Sequence, residues 1–401
     1  MTVALDRLCD PIVFVHLSDL HFREPGSPLA EREAALRDLL IDDIPRIAGL
    51  ADGKVEAVLL TGDVARSAQP GEYREARFWL GRLCDRLGIH PTKTLTCPGN
   101  HDVDWNRLDA GRRAINEVLR KSEPHLLDER IDELLLTEPD TVLGPLQNYQ
   151  EFAAGYACEI EKCLAWELPP HSLGNGYAIS IRGGNSVINS DKFDGEGTMA
   201  VQLNQLLASR QPGLVRMLLL HHSPAFWVRP NPDPAQCHHN VVLYGHTHFP
   251  EHSKVGETCL EITAGAVHPE EREQFSIPGY NVIEISIEAP PDPDAEVVYA
   301  RIRVFHREFS RDNNDFIETD GTPAIDEHVE ILRAAATGPI PIDEPPERAP
   351  RHDQTETSAD ESIAAPDEDG DTESRSPLET ASGDPEPVSY THLTLPTSDL
   401  V

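Results

Sequence analysis

Eight side chains spread over the first 250 residues have the chemistry to hold metal ions: Asp19, His21, Asp63, Asn100, His101, His222, His246 and His248. A divalent ion takes several nitrogen or oxygen donors. Mixed imidazole and carboxylate sets suit Zn, Fe or Mn, whereas all-oxygen sets suit Mg or Ca. The donors here suffice for two ions. The i, i+2 pairs Asp19/His21 and His246/His248 would point to one side of an extended segment, and the two oxygens of Asp63 can bridge. Two ions about 3.5–4 Å apart share a hydroxide and stabilise both the attacking and the leaving oxygen of an in-line displacement, as in phosphate-ester hydrolysis.

Each donor group follows a stretch that reads as a strand. Pro11–Leu17 is a continuous apolar run, the mark of a strand covered on both faces, and it ends in Ser18-Asp19-Leu20-His21. Val55–Thr61 ends in Gly62-Asp63, and Lys93–Cys97 in Pro98-Gly99-Asn100-His101-Asp102. Val215–Leu220 ends in His221-His222-Ser223-Pro224, and Asn240–Tyr244 in Gly245-His246-Thr247-His248. Open α/β sheets bind ligands beyond the carboxyl ends of their strands.

Helical spacing fills the first gaps. Leu29–Leu50 is periodic, with Pro45 expected to kink or shorten it. Gly71–Leu87 reads as amphipathic, with Tyr73, Phe78, Leu80, Leu83 and Leu87 as core contacts and Gly88 as its cap. This order implies right-handed crossovers and a mainly parallel sheet. Residues 104–166 read as a helical insertion, either a cap over the site or ordinary packing helices. Tyr177–Ile181 and Ser186–Ser190 read as a hairpin, and Met199–Ser209 as a short helix. Thr258–Thr263, Tyr280–Ile287 and Val297–Phe305 read as three strands of a second sheet.

The 401-residue chain carries a formal charge of −35. Residues 321–401 hold 19 acidic and 4 basic residues, with few large apolar ones, and such a segment buries too little to offset the entropy of ordering. We expect a domain over 1–320 and a disordered acidic Pro/Ser/Thr-rich tail over 321–387, with a short helix at Ala324–Ala335. Residues 388–401 are set apart, because Val388–Thr397 reads like a translated sequencing adapter. The acidic body disfavours nucleic acid and anionic membranes as partners and leaves a small phosphate ester as the expected one. Seven scattered cysteines without CxxC spacing, no signal-peptide pattern and no apolar run of membrane-spanning length point to a reduced, cytoplasmic protein.

The ordered set Asp19-Leu20-His21, Gly62-Asp63, Gly99-Asn100-His101-Asp102, His222-Ser223-Pro224 and Gly245-His246-Thr247-His248 resembles the calcineurin-like metallophosphoesterases over about residues 11–309. The resemblance implies an α/β fold, a four-layer α/β/β/α sandwich with a dinuclear centre at one edge. It implies that Asp19, His21 and His248 hold one metal, that Asn100, His222 and His246 hold the other, and that Asp63 bridges them. His101 would be the non-ligand histidine that stabilises the transition state or protonates the leaving oxygen. The family's proline two residues after the ligand selects His222 over His221. The chain departs from the protein Ser/Thr phosphatase pattern at Ala65-Arg66-Ser67 and at Asp102, so the resemblance is to the phosphodiesterase-type branch. The expected activity is two-metal phosphate-ester hydrolysis; a non-catalytic scaffold and a nuclease are the alternatives. Elsewhere, His16 and Cys97 read as core. His238, His239 and His268 are weaker site candidates, as are Asn189, Ser190 and Asp191, and Arg66 is a candidate phosphate-facing charge.

Overall fold

Every residue of Ile12–Leu17 is buried, as an unbroken apolar run must be when both faces of its strand are covered. The computed structural model describes residues 5–26, 28–160, 164–228, 238–267, 278–310, 312–313, 315–317 and 319–335. The first half runs β1 (Ile12–Leu17), α1 (Pro28–Ala48), β2 (Lys54–Thr61), α2 (Pro70–Leu87) and β3 (Thr94–Cys97), then α3 (Ala110–Arg120), α4 (Leu127–Thr137), α5 (Pro139–Leu143) and α6 (Gln147–Ala153). It continues with β4 (Ala165–Glu167), β5 (His171–Gly174), β6 (Tyr177–Gly184), β7 (Leu214–Leu219), β8 (Val241–Tyr244), β9 (Glu251–Val255) and β10 (Cys259–Thr263). The last strands are β11 (Gly279–Glu288), β12 (Val297–Ser310), β13 (Asp315–Phe316) and β14 (Ile325–Leu332).

Two mixed sheets result. The first has the order β13-β12-β11-β1-β2-β3, with β14 also on β12. In it β1, β2 and β3 are parallel, and β11 joins β1 antiparallel. The second has the order β4-β6-β7-β8-β10-β9, with β5 also on β6; β6, β7, β8 and β10 are parallel. One apolar core joins Val15 and Leu59 of the first sheet to Met217, Leu243 and Ile262 of the second, and takes in Ile44 of α1 and Leu80 of α2. The Trp166 indole ties the sheets by donating to the Thr96 carbonyl at 2.8 Å. The outer face of the second sheet is covered by Val201, Leu206 and Trp227, which pack on Leu218, Val242 and Tyr244.

The structure corrects several readings. Tyr280–Ile287 and Val297–Phe305 are antiparallel neighbours, but they extend the first sheet through β1; an alternating pattern marks a strand without choosing its edge. Ala324–Ala335 holds a strand, not a helix. β14 pairs with β12 and buries Ile325, Val329 and Ile331, so the ordered body runs past the boundary expected at 320. Residues 336–401, with the rest of the expected tail and the segment 388–401, lie outside the described residues. Ser186–Ser190 is a turn, not the partner of β6: Asn185 Oδ1 accepts from Val187 N at 2.7 Å, and Ser190 N donates to the Val187 carbonyl at 3.0 Å. Of Met199–Ser209 only Leu203–Gln205 is helical, as one 3₁₀ turn. Phe78 is 68% exposed, since 100° per residue places it off the Tyr73–Ala76–Leu80–Leu83 stripe. Pro45 is accommodated in the last turn of α1. Among the described residues no helix is long and apolar enough to cross a membrane.

The insertion is helical as expected, and one cation fastens it. Arg112 of α3 is almost fully buried. Its guanidinium donates to Asn116 Oδ1 and the Thr141 carbonyl, both at 2.9 Å, and to the Val142 and Ile188 carbonyls. Burial pulls it down to about 10, still cationic at neutral pH. Arg112→Met should therefore leave several buried acceptors unpaired and cost about 3 kcal/mol or more. The urea midpoint should fall at unchanged slope; a loss under about 1 kcal/mol would mean that the insertion is held elsewhere.

Candidate metal centre

Five of the proposed donors sit in left-handed backbone: Asp19 (φ 54°), His21 (46°), Asp63 (53°), His246 (69°) and His248 (61°). The pairs Asp19/His21 and His246/His248 therefore converge through successive left-handed turns, not through the extended segment that the i, i+2 spacing suggested. Asp and His tolerate this region better than bulkier residues, and such conformations cluster at functional sites. Neighbouring loops hold them there. Asp19 N donates to the Gly62 carbonyl at 3.1 Å, His21 N to Asp63 at 3.0 Å and Phe22 N to Val64 at 2.9 Å. Two glycines are required by contact: a Cβ on Gly99 would run into the Asp63 carboxylate and backbone, and one on Gly245 into the Ser18 hydroxyl.

The strand ends bring all the predicted donors together, with His221 added. His248 Nε2 lies 3.1 Å from Asp19 Oδ1, and His21 Nε2 lies 3.9 Å from both Asp19 Oδ1 and Asp63 Oδ2. His221 Nε2 lies 3.5 Å from Asp63 Oδ2 and 3.0 Å from Asn100 Oδ1, while His246 Nδ1 lies 3.1 Å from the same Asn100 oxygen. Asp63 Oδ1 accepts from His101 N at 2.7 Å. Donor atoms of Asp19/His21/His248, of Asp19/Asp63/His221 and of His221/His222/His246 form compact groups within 4.8 Å.

A divalent metal fits this set. Both ring nitrogens of His21 are buried without a hydrogen-bond partner, which is costly unless something else binds them. Burial and neighbouring imidazoles push His21 well below the usual histidine range and His246 down to about 3, keeping these rings neutral as metal ligation requires. Burial acts to raise the carboxyls of Asp19 and Asp63. The charge of His248 beside Asp19, and of His221 and His101 beside Asp63, nevertheless holds both below the usual range.

The adjacent histidines part company. The His221 ring directs Nδ1 at the Thr61 carbonyl (2.7 Å) and Nε2 at Asp63 and Asn100. His222 places Nδ1 3.0 Å from the Ser186 hydroxyl and lies tilted beside His246, ring centres 4.2 Å apart. The proline rule set His221 aside, yet it is the ring that faces both Asp63 and Asn100. Ser186 and Thr61 carried no signal in the sequence, because a hydroxyl at a strand end and a backbone carbonyl look like any other.

His101 Nδ1 lies 2.9 Å from the Arg66 carbonyl and 2.5 Å from Arg66 Nη1. One nitrogen cannot donate and accept at once. The carbonyl only accepts, so we assign Nδ1–H to it, and the Arg66 guanidinium donates to Nε2 at 3.1 Å. Trp105 stacks on His101 from the insertion, with centres 6.4 Å apart. Asp102 gains a structural role: its carboxylate accepts from Val64 N (3.3 Å), Ala65 N (3.0 Å), Gly99 N (2.9 Å) and the Tyr73 hydroxyl (2.9 Å). It thus locks the Asp63 loop to the Asn100 loop. Burial and nearby Asp63 push its carboxyl up to about 7, against the pull of these donors.

The weaker candidates do not converge. His239 is buried and bonded to the Leu206 carbonyl at 2.8 Å. Asn189 and Asp191 fasten Ala200, Asn116 and Arg120, and the Ser190 hydroxyl donates to Asp194. His268 lies outside the described residues. His16 and Cys97 are buried, as expected of core positions.

Two facing mixed sheets with metal donors at their strand ends define the class. The family model for calcineurin-like phosphoesterases matches residues 12–250, and the chain belongs to that family. Among solved structures it is similar to a predicted phosphoesterase from Streptococcus pneumoniae TIGR4 (13% identity, TM-score 0.28, covering 80% of this chain and 98% of that one). It is also similar to a dimetal phosphatase from Danio rerio (12%, 0.36, 82% and 99%) and to Vps29 from Chaetomium thermophilum (11%, 0.29, 80% and 98%). No curated protein sequence matches the chain.

The Asp102 lock makes a ranked prediction. In Asp102→Asn the amide turns N–H groups toward two of the four donors whichever way it is flipped, which should cost about 2–4 kcal/mol; Tyr73→Phe removes one donor and should cost about 1–2. Equal losses in urea denaturation would show that the carboxylate is not the lock.

Proposed function

We propose that the protein is a hydrolase of small phosphate esters, phosphodiesters or phosphomonoesters, working with two divalent ions such as Mn, Fe or Zn. The observation that supports this most is the convergence of imidazole, carboxylate and amide donors around Asp63, with buried ring nitrogens lacking partners. In this reading Asp19, His21 and His248 hold one ion, Asn100, His221 and His246 hold the other, and Asp63 serves both. His221 takes the place first given to His222, because its Nε2 faces Asp63 and Asn100 while Thr61 holds Nδ1. When bound, the ions would supply Lewis-acid charge and lower the pKa of water.

The chain's own residues do the rest. Water gives up a proton to the solvent as it adds to phosphorus, the P–O bond to the alcohol breaks, and the leaving oxygen takes a proton. His101, whose ring centre lies 4.7 Å from that of His21, is placed to supply that proton. The described cysteines Cys9, Cys84, Cys97, Cys158 and Cys259 are buried free thiols, which supports a reducing, cytoplasmic setting.

Protein loaded with Mn²⁺ should hydrolyse bis(p-nitrophenyl) phosphate or p-nitrophenyl phosphate. Silence with each of Mn, Fe, Zn, Co and Ni would sink the proposal. Asp63→Asn should fall to the buffer background. His101→Ala should lose about 10²–10⁴-fold in kcat while bound metal, measured by mass spectrometry, stays at the wild-type level.

Metal uptake should also release a proton. Burial acts to lower His221, but the Asp63 carboxylate beside it raises the ring to about 9. A protonated His221 therefore stabilises the metal-free fold below its ordinary 6.5, and that contribution is lost as pH rises through about 9. Metal affinity runs the other way, climbing about tenfold per pH unit toward 9. Calorimetry at pH 7 in buffers of different ionisation heat should report close to one proton released; none released would mean that His221 is not the ligand.

A further inference from the structure

We propose that a cavity beside the donor cluster receives the alcohol part of the ester and selects a non-anionic, hydroxyl-rich alcohol such as a small polyol. This rests on the hydrolase reading above. The cavity measures about 320 Å³ and is lined by Ser223, Tyr244, Thr247, Glu251, Glu261 and Thr263, among others. Its position follows from the chain: Ser223 succeeds His222, and Thr247 stands between His246 and His248. The loops that carry His221, His246 and His248 thus also carry part of this wall.

The wall's chemistry follows from strand register. Glu251 pairs with Thr263 and Ser253 with Glu261 across β9 and β10. Directly opposed residues project from the same face, and alternate residues do too, so all four line one surface. Tyr244, paired with Thr263 across β8 and β10, adds its hydroxyl, which donates to Glu261 Oε1 at 3.3 Å. The described lining therefore offers two carboxylates and several hydroxyls as acceptors, one imidazole, His252, and no lysine or arginine. Alcohol hydroxyls find acceptors there. A second phosphate or a carboxylate on the alcohol would meet two like charges without a lysine or arginine to offset them.

Glycerol 3-phosphate and 3-phosphoglycerate test this, since they differ only in a CH₂OH against a carboxylate. Each is offered as the monoester and as its p-nitrophenyl diester to Mn²⁺-loaded full-length protein, with p-nitrophenyl phosphate as the generic substrate. We expect kcat/KM to favour the glycerol ester at least tenfold in one of the two series. The double variant E251Q/E261Q should shrink the ratio below threefold. The control E129Q/E133Q, which removes the same charge from the exposed face of α4, should keep it, so that the effect is local and not one of net charge. A wild-type ratio near one, an unchanged ratio in the cavity variant, or an equal drop in the control overturns the proposal. So does turnover of p-nitrophenyl phosphate with neither glycerol nor glycerate ester processed. Failure with p-nitrophenyl phosphate as well overturns the hydrolase reading with it.

Discussion

Asp63 is a carboxylate with 1% exposure, and a charge so deeply buried persists only if its surroundings are built for it. Those surroundings are strand ends. His101 N binds one oxygen, while His21 and His221 face the other. Gly99 lets the Asn100 loop approach closer than any side chain would allow. The left-handed conformation of Asp63 itself is strained for a non-glycine residue and is held by the backbone bonds that zip its loop to the Asp19 loop. Two mixed sheets, whose parallel strands end in polar loops, are what make such a meeting possible.

Beneath the centre, polar order continues where apolar packing would be expected. His16 Nε2 meets the Thr61 hydroxyl at 2.9 Å, and Asn281 Oδ1 meets His306 Nδ1 at 2.8 Å. His16, Asn281 and His306 occupy one row across β1, β11 and β12. The row ends under Thr61, whose carbonyl orients His221. Burial pushes His16 down to about 3, so this row stays neutral. Neutral hydrogen-bonded groups fix geometry without adding charge that would compete with the donor cluster.

The strands that carry the donors were legible because each is an apolar run broken by Gly, Pro or Asp, and both the period and the break are local properties. Sheet membership was not. Nothing inside 279–288 tells β11 to lie against β1 rather than beside β10, because that choice is made by non-local pairing. β14 was misread because Ile325, Val329, Ile331 and Leu332 satisfy a helical period nearly as well as an extended one, and only the open edge of β12 decides. The choice between His221 and His222 had the same character. Two identical residues in sequence become different once the strand fixes which ring turns toward Asp63. Asp102 was legible as a type but not as a role, since its donors come from residues 64, 65, 73 and 99.

Charge sets the terms on which the proposed chemistry would operate. The chain as a whole carries −35, yet the donor set contains only two carboxylates, Asp19 and Asp63, among otherwise neutral ligands. Two divalent ions would bring four positive charges and leave the centre about +2, a small cationic well in a strongly acidic body. A compact phosphate whose charge sits entirely within that well is attracted. A long polyanion would lay its remaining phosphates along the acidic surface, where like charges closer than the Debye length of about 8 Å at physiological salt repel. The acidity that weakens the nuclease alternative is thus consistent with Glu251 and Glu261 lining the cavity next to the centre: both favour substrates whose only anionic group is the phosphate being cleaved.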